Sequence, residues 1–274
     1  MSREHVEFIQ AYDVAPEPIE TGPLAGARRR LLSADDADGS HTALLATPAS
    51  FRAELADLAR PLELFMLSGS ASVAGVGFTP GCYVYVPGGR ATALFEAHTD
   101  AELLLMVEPE IAPEPEAADP LSVLDVNAMP WDAVRTWLGD RPERAEGIVV
   151  KILRVKPNGS DWTWVASNVI DWTAGYAEVH PTIEEAFMLR GDCLLGTCGV
   201  MGPGSYFYRP PMVPHGPMYT RSGAFFFFRT RGGGLKTDYV AVPGWQELVE
   251  EHRGSAPFFE RPAGASVSGT PPAP

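Results

Sequence analysis

Short apolar stretches, interrupted by glycine or proline, run along most of the chain. Residues 5–12 alternate between apolar and polar side chains, whereas residues 62–69 and 101–107 are nearly continuous apolar runs. Both patterns are typical of strands, the first half-buried and the second fully buried. The chain also contains 27 Gly and 26 Pro, which favours many short strands joined by turns over long helices. The pattern therefore predicts an all-β protein.

Two segments of the first half recur in the second half in the same order. Glu63-Leu-Phe-Met-Leu-Ser-Gly69 matches Glu185-Ala-Phe-Met-Leu-Arg-Gly191, and Gly81-Cys-Tyr-Val-Tyr-Val-Pro87 matches Gly204-Ser-Tyr-Phe-Tyr-Arg-Pro210. The period is far longer than that of any solenoid unit. We therefore predict one β-domain that has been duplicated.

Local composition indicates a linker between the two copies and a tail after the second. Residues 108–120 are rich in Pro and acidic residues, which predicts a stiff linker, and residues 254–274 are rich in Ser, Pro, Ala and Gly, which predicts a disordered tail. The expected domains are residues 1–110 and residues 121–253.

The net charge limits the classes of partner. The chain carries 35 acidic and 21 basic side chains, a formal charge of −14. Such a surface repels phosphate backbones and anionic lipid, so neither nucleic acid nor a membrane is expected as a partner. The first residues lack the pattern of a secretory signal. The odd number of cysteines, Cys82, Cys193 and Cys198, predicts free thiols and not a disulfide framework. We therefore expect a cytoplasmic protein.

The second half contains a cluster of metal-ligand residue types. Glu178 and His180 are two residues apart, so on a strand they point to the same face. Glu184 opens the next strand, and His215 follows a proline-rich turn further along. Two imidazoles and at least one carboxylate on one barrel interior would form a divalent-metal site.

These residues resemble the motifs of the cupin superfamily. Gly175, His180, Glu184 and Gly191 fit the first cupin motif, and Gly204, Pro210 and His215 fit the second. The whole chain resembles a two-domain bicupin related to the cupin module of a zinc-binding anti-sigma factor. The resemblance implies two tandem jelly-roll β-barrels, the second of which binds one metal ion.

The chain departs from the cupin pattern at one ligand position. Glu178 stands where the first motif histidine is expected, so the ligand set becomes Glu178, His180, Glu184 and His215. Alternatively, three residues hold the ion and Glu178 acts as a catalytic base. The carboxylates favour Fe(II), with Zn(II) or Mn(II) as alternatives. At the positions matching His180, Glu184 and His215, the first half carries Leu58, Leu62 and Thr92, which predicts a barrel without a metal.

Four further residues are candidates for contacting a substrate. Tyr206 and Tyr208 share strand parity and precede His215, Trp164 belongs to an aromatic strand, and Arg229 offers a bidentate fork for a carboxylate. For each of them, packing elsewhere in the fold is the competing interpretation.

The favoured function is a metal-dependent enzyme that acts on a small oxygenated organic molecule, with a non-haem Fe(II) dioxygenase-type reaction. The alternatives are a Zn- or Mn-dependent isomerase, lyase or decarboxylase, and a non-enzymatic metal or ligand sensor. The resemblance also implies a homodimer, formed through an edge strand or an exchanged N-terminal strand.

Overall fold

A computed structural model of the chain describes residues 3–55, 60–88, 93–109, 120–133, 146–156, 159–233 and 236–255. Within these residues strands dominate, so the all-β prediction is confirmed. Leu58, Thr92, and most of the predicted linker and tail lie outside them. None of the helices in the described ranges is long and apolar enough to cross a membrane.

The first large sheet is built mainly from the first half of the chain. Its seven strands run antiparallel in the order β12-β9-β6-β11-β4-β3-β2. In chain order they are β2 (Glu17–Pro18), β3 (Arg28–Ala34), β4 (His41–Thr47), β6 (Leu62–Ser68), β9 (Cys82–Val86), β11 (Ala101–Val107) and β12 (Ser122–Asp125).

The second large sheet repeats this arrangement with the second half of the chain. Its seven strands run in the order β1-β21-β18-β23-β15-β14-β13. In chain order they are β1 (Val6–Gln10), β13 (Asp132–Ala133), β14 (Ile148–Val155), β15 (Asp161–Asn168), β18 (Ile183–Gly191), β21 (Ser205–Arg209) and β23 (Ala224–Arg231). The matching strand orders agree with a duplication, and a common origin of the two halves stays a prediction.

A smaller sheet packs on the outer face of each large sheet. The first contains β5 (Arg52–Glu54), β10 (Leu94–Ala97), β7 (Ala71–Val73) and β8 (Val76–Phe78), and the second contains β16 (Trp172–Ala174), β22 (Met218–Thr220), β19 (Cys193–Leu195) and β20 (Gly199–Met201). A ribbon of β17 (Tyr176–Val179) and β24 (Asp238–Ala241) completes the second half, followed by helix α1 (Trp245–Ser255). We call the two resulting units the N-terminal and C-terminal barrels.

The two barrels exchange edge strands within the chain. β1 pairs with β21 of the C-terminal barrel, with Val6 opposite Tyr208, while β12 pairs with β9 of the N-terminal barrel. Each exchanged strand covers the hydrogen-bonding edge that the other barrel would otherwise expose. The N-terminal strand that we expected to pair with a second copy thus pairs within its own chain, and the homodimer stays a prediction.

The two large sheets pack face to face through a mixed layer of apolar and charged residues. Alternation along each strand sends one side chain into its own barrel and the next toward the other sheet. Leu44, Phe65 and Leu104 of the N-terminal barrel meet Phe187 and Phe227 of the C-terminal barrel in one apolar cluster. Phe65 and Phe227 lie with ring centroids 5.2 Å apart.

Arg229 lies at the centre of this layer and joins three carboxylates. Its Nε is 3.1 Å from Oε1 of Glu63, its Nη2 is 2.9 Å from Oε1 of Glu108, and its Nη1 is 3.3 Å from Oε1 of Glu185. Glu63 and Glu108 belong to the N-terminal barrel, whereas Glu185 belongs to β18 of the C-terminal barrel. The side chains of all four residues are at most 4% exposed. The guanidinium of Arg229 therefore links the two halves of the chain through buried ion pairs.

Hydroxyl groups of both barrels donate hydrogen bonds to two of these carboxylates, in the same pattern for each. Glu63 and Glu185 each accept one bond from a tyrosine of their own barrel and one from a threonine of the other barrel. The donors are Tyr83 (2.8 Å) and Thr163 (2.6 Å) for Glu63, and Tyr206 (2.8 Å) and Thr42 (2.6 Å) for Glu185. Arg154 and Arg3 add further cationic contacts at 3.3 Å, to Glu108 and Glu185 respectively. We call this set the interbarrel ion network.

The arginines of the network keep its carboxylates ionised. Burial alone would raise the pKa of the Glu185 carboxyl, but Arg3, Arg229 and Arg231 outweigh it and lower that pKa to about 2. Burial opposes ionisation of Glu108 in the same way, and Arg229 leads the group of cations that lowers its pKa to about 2.

Replacing Arg229 by Met should destabilise the protein strongly, because three buried carboxylates lose the cation they share. We expect a loss of about 3–5 kcal/mol in the free energy of unfolding, measured by urea denaturation. Arg52→Met is the matched control, since Arg52 is 65% exposed and pairs with Glu96 at the surface. It should cost less than about 1 kcal/mol. Equal losses in both variants would contradict a stabilising role for the network.

The depressed pKa values also predict how stability depends on pH. A carboxyl with a folded pKa of about 2 and an ordinary value of 4.5 stabilises the fold fully above the ordinary value. That contribution disappears as the pH falls from about 5 towards 2. Urea midpoints should therefore be similar at pH 7 and 6 and fall steeply below pH 4.5. A Glu185→Gln variant should show a shallower fall, and an unchanged slope would argue against this origin.

Candidate metal centre

The C-terminal barrel gathers the four predicted ligands at one end of its interior. Glu178 lies on β17, His180 follows that strand directly, and Glu184 is the second residue of β18. His215 comes from the connection between β21 and β22 and forms an isolated antiparallel bridge with Glu178. In this bridge each residue donates its backbone N–H to the carbonyl of the other, at 2.7 and 3.0 Å. The backbone itself therefore fixes two of the four positions.

The ligand atoms of this group approach one another closely. Nε2 of His215 is 3.3 Å from Oε2 of Glu184 and 4.0 Å from Oε2 of Glu178. Nε2 of His180 is 3.7 Å from Oε2 of Glu178 and 3.9 Å from Oε1 of Glu184. One ligand atom each from Glu178, His180 and His215 lies within 4.8 Å of the others. These separations suit donors arranged around one ion.

Both imidazole rings are oriented by their second nitrogen. Nδ1 of His180 lies 3.1 Å from the carbonyl oxygen of Lys236 and 3.2 Å from Oγ1 of Thr237, and Nδ1 of His215 lies 3.3 Å from the carbonyl oxygen of Val213. A ring nitrogen that donates to a carbonyl carries the proton, so the lone pair of Nε2 faces the cluster. Sequence patterns did not reveal Lys236 and Thr237, because their backbone and side-chain contacts depend on how β24 folds back onto β17.

The buried polar atoms of the cluster fit a metal ion. Nε2 of His180 and Oε2 of Glu184 are buried and accept no hydrogen bond. Burial opposes ionisation of Glu184, but His180, His215 and Arg209 hold the pKa of its carboxyl below the usual value. Burial lowers the pKa of His215 to about 4, which leaves a neutral imidazole at physiological pH. Carboxylate oxygens beside imidazole nitrogens are a donor set for a divalent ion.

A small cavity adjoins the cluster. It measures about 100 Å³ and has mostly apolar walls. Trp164 lines it and stacks on Phe228 with ring centroids 5.2 Å apart. Arg209 also lines the cavity, with Nη1 3.7 Å from Oε2 of Glu184. The cavity thus has aromatic walls and a charged end.

Three of the predicted substrate contacts lie elsewhere. Tyr206, Tyr208 and Arg229 point away from the cavity and into the layer between the two large sheets. Strand parity groups Tyr206 with Tyr208 correctly, but it does not tell which of the two faces is the barrel interior. Phe207 and Arg209, the residues of opposite parity on the same strand, line the cavity instead.

The corresponding interior of the N-terminal barrel is apolar. Leu62, at the position that matches Glu184, is fully buried in a cluster with Leu64, Leu103 and Leu105. Among the described residues, the His, Cys, Asp and Glu group that could hold a metal ion lies in the C-terminal barrel.

Comparison with solved structures identifies the fold. A protein from Nostoc punctiforme described as a putative dioxygenase is 20% identical, with a TM-score of 0.72 over 88% of this chain and 87% of that one. A cupin 2 conserved barrel domain protein from Leptotrichia buccalis is 13% identical, with a TM-score of 0.54 over 83% and 97%. Oxalate decarboxylase from Bacillus subtilis is 12% identical, with a TM-score of 0.55 over 89% and 82%. The chain therefore has the cupin jelly-roll fold predicted from its motifs.

Sequence comparison points to one family. No curated protein matches the chain. The model of a family described as a domain of unknown function, DUF4437, matches residues 19–236. This range contains all four candidate ligands and most of both barrels. The protein belongs to the DUF4437 family.

Proposed function

We propose that the protein is a metal-dependent enzyme that acts on a small oxygenated organic molecule in the C-terminal barrel. The observation that carries this proposal is the convergence of Glu178, His180, Glu184 and His215 beside a cavity, where two buried acceptor atoms receive no hydrogen bond from the described residues. An unsatisfied buried acceptor is costly unless something binds it.

The four candidate ligands differ in how deeply they are buried. His180, His215 and Glu184 are almost fully buried, and their orientations are fixed by neighbouring groups. Glu178 is less buried, with 19% of its side chain exposed, and it lines both the inner cavity and the outer cleft that leads to it. This position lets Glu178 complete the ligand set and also accept a proton from an incoming substrate. A divalent metal bound there supplies Lewis acidity, and Fe(II) in addition supplies reactivity toward dioxygen.

The cavity walls determine what can reach the ligands. Trp164, Phe207 and Phe228 form apolar surfaces, while Arg209 places a cation at the charged end. Such walls exclude water and select a flat or compact molecule that presents its oxygens to the polar end. A diketone, a hydroxyketone, a catechol-like ring or a hydroxy acid fits this description.

Two reaction types compete within this proposal. The likeness to a putative dioxygenase supports an Fe(II)-dependent oxygenation, which we favour. The likeness to oxalate decarboxylase supports a metal-dependent decarboxylase or lyase as the second candidate. Which metal the protein retains separates the two, since oxygen activation requires a redox-active ion.

Metal content is the first test. Protein purified without chelators or immobilised-metal columns should contain about one Fe, Mn or Zn per chain by elemental analysis. The double variant His180→Ala/His215→Ala should lose the metal because it removes both nitrogen ligands. His98→Ala is the matched control, since His98 is exposed and outside the cluster. Absence of metal in the wild type, also after anaerobic reconstitution with Fe(II), would refute the proposal.

Glu178→Gln tests the unusual ligand. The amide keeps the shape of the side chain and removes its charge, so we expect metal affinity to fall at least about tenfold in a chelator competition assay. Glu250→Gln, on the exposed face of α1, should leave the affinity unchanged. Unchanged affinity in Glu178→Gln would exclude a ligand role and leave only the role of a base.

A further inference from the structure

A second concave site lies between the two barrels, away from the metal centre. This interbarrel groove has a volume of about 300 Å³ and shares no lining residue with the metal-site cavity. Its volume is at the lower end of the range typical of small-molecule sites, about 300–1,000 Å³.

Two β-bulges shape the groove. Leu67 is the extra residue of a bulge where β6 pairs with β11, and Leu189 is the extra residue where β18 pairs with β23. Both leucines line the groove. A bulge bends and twists its strand, and both bulged strands border the groove. The second bulge also brings Arg190, the residue after Leu189, to the groove wall.

The groove contains a buried lysine that has no acidic partner among the residues described. Lys151 is 6% exposed, and its Nζ donates to the carbonyl oxygen of Val126 at 2.7 Å. The same ammonium lies 4.4 Å from the ring centroid of Trp131. Within the described ranges no carboxylate lies within 4.0 Å of it. A lysine ammonium has three N–H donors, so this cation is only partly satisfied by the protein.

Arg190 is a second cation at the same groove. It is exposed, and no ion pair or hydrogen bond of its guanidinium occurs in the part of the chain that the structure describes. The described residues that line the groove include these two cations and no Asp or Glu. This local excess of positive charge stands in a chain with a net charge of −14. It is therefore a specific feature and not a reflection of the overall composition.

Aromatic rings form the rest of the mouth. Trp131 and Phe225 pack edge to face with centroids 6.0 Å apart, and they remain 41% and 37% exposed. Exposed aromatic rings beside unpaired cations are the groups that recognise an organic anion with an apolar body.

We propose that the interbarrel groove binds a small organic carboxylate whose body is flat and apolar. The carboxylate would receive hydrogen bonds from Lys151 and Arg190, and the body would pack against Trp131 and Phe225. Charge-assisted bonds of this kind are stronger than neutral ones, particularly beside a buried cation. The site is independent of the proposed metal chemistry, because it involves none of the metal-site residues.

Benzoate is the probe, and benzamide is its neutral counterpart of the same shape. Full-length protein should bind benzoate saturably in calorimetric titrations, with benzamide at least about tenfold weaker because it lacks the charge. The double variant His180→Ala/His215→Ala should bind benzoate as the wild type does, which separates the groove from the metal centre. The result for the groove thus does not depend on the outcome of the metal tests.

Variants of the two cations locate the site. Lys151→Met should reduce benzoate affinity about tenfold, and Arg190→Gln should reduce it about threefold since an exposed cation is better screened. Lys151→Met should remain folded, because an apolar side chain of similar length replaces an unpaired buried charge. Thermal unfolding verifies this point. Arg52→Gln, an exposed arginine on the N-terminal barrel, should bind benzoate like the wild type.

Three results would overturn the proposal. The first is the absence of saturable binding up to about 10 mM benzoate, a concentration at which even weak specific sites fill. The second is equal binding of benzamide and benzoate. The third is unchanged affinity in both Lys151→Met and Arg190→Gln.

Discussion

The contact of Arg229 with three buried carboxylates is the interaction on which the rest of the architecture depends. Isolated charges are unfavourable in a protein interior, so Glu63, Glu108 and Glu185 need cations beside them, and Arg229 contacts all three. Because the three acids come from both barrels, their contacts with one guanidinium help to fix the position of one barrel relative to the other. Hydroxyl donors from both barrels add hydrogen bonds to Glu63 and Glu185, which links the two barrels further.

The same strands that carry the network also carry the candidate ligands. Glu184 and Glu185 are neighbours on β18, yet the first faces the metal centre and the second faces Arg229. Arg209 and Tyr208 are divided in the same manner on β21. The ion network on one face of such a strand also restricts the residues on the other face, because both sets of side chains share one backbone.

Much of this arrangement could be predicted from the sequence, and the failures have a physical cause. Motif spacing brought Glu178, His180, Glu184 and His215 together in the expected barrel. Parity alone could not tell interior from interface, so Tyr206 was assigned to the wrong face. The repeat contained the missing signal: Glu63 and Tyr83 recur as Glu185 and Tyr206 although the first copy lacks the ligands. Residues that recur in both halves therefore belong to the interbarrel ion network, which involves both halves.

The exchange of β1 and β12 has a consequence for how the chain acquires its structure. β1 is synthesised first, but its partner β21 follows about 200 residues later, as the pairing of Val6 with Tyr208 shows. The N-terminal barrel in turn lacks its edge strand until residues 122–125 have been made. Contacts of such long sequence separation form slowly. The first barrel therefore emerges from the ribosome with an open edge, and it is closed only by a strand that belongs to the second half of the chain.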